Sequence, residues 1–264
     1  MADTVLYEAT DGLATVTLNR PEALNALNLP TKEALLAAVR RAAGDPGVRA
    51  VLLAANGRAF CVGQDLAEHA DALAGERVAD AAMRTVAEHY GPIARTLAEM
   101  PKPVVAAVNG PAAGAGLGFA LAADYRVVAA GASFNTAFTA IGLTADSGLS
   151  WTLPRVVGPA RAADLLLFPR RVDAAEAERL GIAQRVVPDA ELPAAAREVA
   201  ARLAAGPTVA YAALKEALAF AAEHSLAATL DLESRLQTTA GSSADHRAAV
   251  AAFLAKERPT FDGR

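Results

Sequence analysis

An α/β fold with a largely parallel sheet, followed by a strandless helical region, is what this sequence predicts. Three observations carry it. Short apolar runs at 13–18, 48–54, 104–108 and 125–129 alternate with stretches of helical period. Such strand–loop–helix–strand repeats imply right-handed crossovers between parallel strands. From Glu191 to Arg264 the spacing is helical throughout. Hydrophobic residues fill 53% of the 264 positions, enough for one substantial core or a core plus an appendage. The expected division is 1–190 as the core and 191–264 as a helical region that packs on another copy of the chain.

In chain order, Val5–Ala9 and Leu13–Leu18 alternate on either side of Asp11-Gly12, a hairpin pattern. Asn19 to Leu27 is a loop. A helix runs from Thr31, placed as its N-cap, to Ala43, with Leu35, Leu36 and Val39 on one face. Residues 68–100 are helical, interrupted at Gly75 and at Gly91-Pro92. Val104–Val108 is a buried strand ended by Asn109-Gly110-Pro111. Ala115–Ala123 is apolar without a break and reads as a buried helix. Tyr125–Ala129 is a strand, and Ser133–Thr139 can hold another short one. A helix over Leu149–Leu153 is bounded by Pro154. Others run from Gly158 to Phe168 and from Glu176 to Leu180, and Val186–Pro188 is extended. Four helices follow, at 192–205, 208–223, 226–239 and 244–256.

Composition narrows the chemistry. The net charge is −4 and no basic run exceeds two residues, which argues against nucleic acid as a partner. No apolar leader or membrane-length run occurs, so a soluble cytoplasmic protein without a membrane partner is expected. The single cysteine, Cys61, fits a reducing compartment. No histidine or acid lies beside it, so it reads as a small buried hydrophobe rather than a nucleophile. The four histidines lack metal-ligand spacing, and no nucleophile elbow is present.

Two glycine turns carry the candidate site. Gly114, Gly116 and Gly118 form G-x-G-x-G, which is not the dinucleotide fingerprint. They open the buried helix, and the free N–H groups of a helix start suit a developing negative charge. The Ala115 N–H is thus a candidate oxyanion donor; a glycine-rich helix packed on its sheet is the alternative. Gln64, just after Gly63 in 57–66, offers a second N–H, or else an ordinary loop. Asp146 precedes a helix. It is either an N-cap or a carboxylate available for proton transfer.

Taken together, Leu18–Pro21, Leu24–Leu27, Phe60–Leu66, Pro101–Val104, Val108–Gly116 and the tail Ala252–Phe261 resemble the crotonase, or enoyl-CoA hydratase/isomerase, superfamily. The resemblance covers nearly the whole chain. It implies a ββα-spiral core, a C-terminal helical trimerisation region and an acyl-CoA thioester as substrate. No separate cofactor and no metal are implied, coenzyme A being part of the substrate. A homo-oligomer, trimer or dimer of trimers, is implied as well. The two oxyanion N–H groups of the family fall on Gln64 and Ala115. Ala23, Leu24, Cys61, Gly63, Asp65, Leu66, Gly114, Phe138 and Ile141 fall where the acyl-CoA is held. The two glutamates of the hydratases would sit at Gly118 and Phe138, and neither is present. Asp146 falls where isomerases of the superfamily keep an aspartate, ring-epoxide isomerases of phenylacetate breakdown among them. A dehalogenase with the same aspartate needs a histidine at the position of Gly91, so that activity is excluded. The implied reaction is proton movement by Asp146 beside a thioester enolate, in an apolar setting of Phe138, Ile141, Leu143 and Trp151. Hydration by Asp146 and water, and acyl-CoA binding without catalysis, are the alternatives.

Overall fold

The apolar runs pair into one six-stranded sheet. The computed structural model describes residues 3–73 and 83–264. Strand β1 (Val5–Thr10) returns antiparallel as β2 (Leu13–Leu18), with Asp11 and Gly12 at φ of 52° and 77°. Positive φ at both central residues matches the twist of a two-residue hairpin. Helix α1 (Leu29–Gly44) crosses to β3 (Ala50–Ala55), which lies parallel to β2. The cap of α1 differs from expectation. Asn28 caps it, its Oδ1 accepting from the Thr31 N–H at 3.1 Å and the Thr31 hydroxyl at 2.6 Å. Thr31 sits inside the first turn.

Helix α2 (Leu66–Leu73) follows, and the expected break at Gly75 lies outside the described residues. Gly91-Pro92 does not interrupt the next helix. A π-turn over Val86–Tyr90 runs directly into α3 (Gly91–Glu99), so Pro92 lies inside one continuous helical stretch, one residue after the register shift. Strand β4 (Val104–Val108) is buried at all five positions, as a central parallel strand covered on both faces must be.

Pro111–Ala113 is a short strand, β5, that hydropathy alone did not mark. Helix α4 (Ala115–Ala122) is buried at every residue. Strands β6 (Tyr125–Ala129) and β7 (Ser133–Asn135) follow, β7 ending four residues before Thr139. Helix α5 (Leu149–Val157) runs through Pro154 instead of stopping there. Proline leaves the Ser150 carbonyl without its helical donor, and Ser150 is exposed where water can supply one. Helix α6 (Pro159–Leu167), β8 (Val172–Asp173), α7 (Ala174–Arg179) and β9 (Arg185–Val187) complete the sheets.

The main sheet has the order β1-β2-β3-β4-β6-β9, parallel from β2 onward, and a second sheet has the order β5-β7-β8. The last four helices are α8 (Leu192–Ala204), α9 (Thr208–Ala221), α10 (Leu226–Gly241) and α11 (Ala244–Ala255). Of these, α8 lies across β3, β4 and β6, with Ala196 and Ala200 fully buried against the sheet. The helices that leave the sheet begin with α9. Among the described residues no helix is long and apolar enough to cross a membrane.

Candidate active site

Two peptide segments meet through a short parallel pairing. Cys61 bridges Ala112; the N–H groups of Phe60 and Cys61 donate to the Pro111 carbonyl at 3.1 and 3.2 Å, and the Ala113 N–H donates to the Cys61 carbonyl at 2.9 Å. Three residues further along both segments, Gln64 comes abreast of Ala115. A Cβ on Gly63 would stand 3.5 Å from the Ala115 nitrogen and 3.0 Å from the Ala113 carbonyl oxygen.

The hydrogen bonds around each peptide fix where its N–H points. The Gly63 carbonyl accepts from the Leu27 N–H at 2.8 Å. In a trans peptide the N–H opposes the C=O, so the Gln64 N–H faces away from Leu27, toward the side where residues 111–115 run. The Gly114 carbonyl accepts from the Gly118 N–H at 3.1 Å, down the helix. The Ala115 N–H therefore points out of the helix start, where no intrahelical carbonyl is available. Gly114 makes this turn at φ 52° and ψ −123°, a conformation reserved for glycine. Gly116 permits the close approach, since a Cβ there would lie 2.1 Å from the Cys61 carbonyl oxygen.

Asp146 does not cap α5. Gly148 is the N-cap, in the left-handed region at φ 74°. The loop before it is strained, with Ser147 at φ 53° despite its side chain. Ser147 is buried and its hydroxyl donates to Asp146 Oδ1 at 2.7 Å. Burial pushes the Asp146 carboxyl above the ordinary aspartate value, and the Ser147 hydrogen bond opposes that only in part. Gly118 explains why the loop can lie here. A Cβ at that position would meet Ser147 Cβ at 2.6 Å and the Ser147 carbonyl oxygen at 2.8 Å. The space that a side chain at 118 would need is occupied by the loop that carries Asp146.

The expected acyl-CoA-contacting residues fall into distinct environments. Gly63 and Gly114 flank the paired peptides. Phe138 is buried, with ring carbon Cζ 3.8 Å from where a Gly114 Cβ would stand. Ala137 before it has φ 63°, a second strained position beside the site. Cys61 is fully buried, and burial pushes its thiol up to about 12, so it is inert. Asp65 has a structural task. It pairs with Arg20 at 2.5 Å and accepts from the N–H groups of Ala67 and Glu68 at 3.1 and 3.2 Å, which starts α2. The Arg20 hydrogen bond, foremost, holds its carboxyl below the ordinary range. Ala23 and Leu24 are half-buried, Leu24 at φ 55°, and Leu66 is exposed. The apolar setting expected for Asp146 is partly different. Ile141 is 53% exposed and Trp151 41% exposed, because Trp151 turns to donate to Glu223 at 3.1 Å. It lines a cavity of about 1100 Å³ between α3, α5 and α9 that touches Ser147 and Gly148 but is not lined by Gln64 or Ala115.

Three residues not singled out from the sequence organise the site. Asn25 is fully buried; its amide donates to the Asn56 and Ala59 carbonyls at 2.9 and 2.8 Å and accepts from the Arg20 N–H at 2.8 Å. A lone polar residue inside Leu24–Leu27 was its only sequence signal. Ser147 supports Asp146. Tyr90 is buried, and its hydroxyl donates to the Gln64 side-chain oxygen.

The fold thus brings together two adjoining backbone segments and a half-buried carboxylate. The sequence matches the enoyl-CoA hydratase/isomerase family model over residues 8–264, and the chain belongs to that family, with the crotonase fold. It is 47% identical to a Rhodobacter capsulatus protein named "Probable enoyl-CoA hydratase", over 99% of this chain and 98% of that one. It is 41% identical to the 1,2-epoxyphenylacetyl-CoA isomerase of Escherichia coli K12, over the full length of both. A solved Mycobacterium abscessus structure of the enoyl-CoA hydratase/isomerase kind superposes with a TM-score of 0.95 at 48% identity, covering 98% of this chain and 100% of that one.

Proposed function

We propose that this chain is an acyl-CoA isomerase. The observation that carries the reading is a half-buried carboxylate, Asp146, in a loop that fills the space over Gly118, with two backbone N–H groups on adjoining segments nearby. The thioester oxygen sits between the Gln64 and Ala115 N–H groups. Proton removal α to the thioester builds negative charge on that oxygen, and each donor contributes about 3 kcal/mol to the transition state. Asp146 takes the proton and returns it at another carbon, which shifts a double bond; with a ring-epoxide substrate its carboxyl instead assists breaking of the epoxide C–O bond. Burial suits it to this work, because an acid whose pKa lies nearer neutrality both accepts and releases a proton. The E. coli relative named for epoxyphenylacetyl-CoA isomerisation supports the second of these substrates. The reading needs no cofactor beyond the coenzyme A of the substrate. It places the protein in the cytoplasm as a trimer or dimer of trimers.

Hydration is the second reading, favoured by the Rhodobacter relative's name. Crotonyl-CoA separates the two. Under the isomerase reading its conjugated-thioester absorbance persists with the protein, whereas a 3-enoyl-CoA gains that absorbance. D146N should then lower the isomerisation rate by about 10²–10⁴-fold. Loss of the crotonyl-CoA signal would replace isomerisation by hydration. Tight binding of CoA esters without turnover would leave a binding protein.

A further inference from the structure

Tyr90 is polar, buried and unused by the chemistry so far. Its side chain reaches the site through an uncommon backbone. The π-turn Val86–Tyr90 shifts the helical register just before α3, and the Gly91 N–H closes it on the Val86 carbonyl. Such turns are frequent at functional sites. Tyr90 is 2% exposed, its ring packs edge-on to Phe119 of α4 at 6.1 Å, and Lys32 Nζ lies 5.8 Å from the ring centre. The ring is thus fixed by three elements. Its hydroxyl donates to Gln64 Oε1. Burial above all, and the charge of Asp146, keep the phenol protonated.

From this geometry we infer that Tyr90 is a positioning residue for the oxyanion donor: its hydroxyl anchors the Gln64 side chain and so fixes the orientation of the Gln64 N–H toward the thioester oxygen. The inference rests on the enolate reading above. Gly63, at φ 87°, gives the preceding peptide freedom that must be removed. The Leu27 bond to the Gly63 carbonyl restrains that peptide from one side, and the Tyr90 bond restrains the residue carrying the N–H from the other. Because Tyr90 packs on Phe119, the donor on the Gln64 segment is also referenced to the helix that carries the Ala115 donor.

The test uses Y90F and Q64A in the full-length protein. Cinnamoyl-CoA is the spectroscopic probe, since its absorbance moves to longer wavelength when the thioester carbonyl is polarised. Y90F should lower kcat by about ten-fold with KM changed less than about two-fold, because a bond that strengthens as charge develops acts mainly on kcat. It should also lose part of the red shift with little change in Tm. Q64A keeps the N–H but removes the anchor, so it should lose the same fraction. The double variant should be no worse than either single variant, as expected for one shared interaction. If Y90F does not fold, Q64A carries the same expectation alone. A full red shift and full kcat in the folded variants would overturn the role of Tyr90 while leaving the oxyanion pair in place. A wild-type protein that binds cinnamoyl-CoA without any red shift would overturn the enolate reading, and this inference with it.

Discussion

Gly114 shows how much of the site depends on one missing side chain. An added Cβ would find room, its nearest neighbour being Phe138 Cζ at 3.8 Å. The obstacle is the backbone, since φ 52° with ψ −123° is closed to L-residues. G114A should therefore fold but relax the turn, at about 1–3 kcal/mol of stability. The relaxation rotates the Ala115 N–H out of line, and acyl-CoA turnover should fall by about 10²–10³-fold. Urea titration beside steady-state rates checks both. Asp146 gives the opposite balance of stability and activity. Its native pKa is raised above 3.8 by burial, so between that value and the native one the folded chain holds a proton the unfolded chain has released. Stability then falls as pH rises through this window. Asn cannot ionise and still accepts the Ser147 hydrogen bond. D146N should accordingly melt at or above the wild-type temperature at pH 7, with the difference closing below pH 3.8, where both forms are neutral. A D146N protein that melts well below wild type at pH 7 would mean that the carboxylate is structural.

At the scale of elements, the Asp146 loop and α4 leave no room for a side chain at 118. A glutamate at 118 would need the space held by Ser147, whose Cβ would lie 2.6 Å from its own. Restoring both absent glutamates, as G118E with F138E, should therefore displace the Asp146 loop. It should abolish isomerisation without producing hydration, and G118A alone should cost about 1–3 kcal/mol. Hydration of crotonyl-CoA by the double variant would show that the loop yields. The sequence made the regular elements legible because hydrophobic period and Gly/Pro punctuation are local signals. The helices read at 192–205 and 244–256, which the structure ends one residue earlier, and the glycines opening α4 came from those signals alone. What it hid was decided by tertiary contacts. Asp146 looked like an N-cap because aspartate before a helix usually is one, and only the left-handed Ser147-Gly148 pair moves the cap to Gly148. Strand β5 is three residues long and exists because Cys61 and Ser133–Asn135 flank it. The π-turn before Gly91-Pro92 has no periodic signature, so Tyr90 could not be placed in the site.

For the whole molecule, the area left uncovered argues for assembly. A monomer of 27.0 kDa is expected to expose roughly 10,800 Å². This chain exposes 13574 Å², an excess of roughly 2,800 Å², which is the scale of a permanent oligomer interface. The last helices carry large apolar side chains that face water, with Leu226 75%, Phe253 80% and Leu254 76% exposed. Fraying does not explain Phe253 and Leu254. Helix α11 is held at its start, where Asp245 accepts from the Asp262 N–H at 2.7 Å and its own N–H donates to the Arg264 carbonyl at 3.0 Å. The tail beyond α11 is fixed to the core by Arg49, which donates to the Phe261 carbonyl at 2.8 Å. Both residues thus stand on a helix clamped in place, and an exposed apolar face of this kind marks an interaction surface, for which a second copy of the chain is the expected occupant. Light scattering should give about three or six times the 27.0 kDa chain mass. F253D with L254D should shift the protein toward the monomer while far-ultraviolet circular dichroism stays unchanged, because neither side chain contributes to the core. A wild-type protein that runs as a single 27.0 kDa species at micromolar concentration would remove the oligomer from this account and leave the apolar helix face to a different partner.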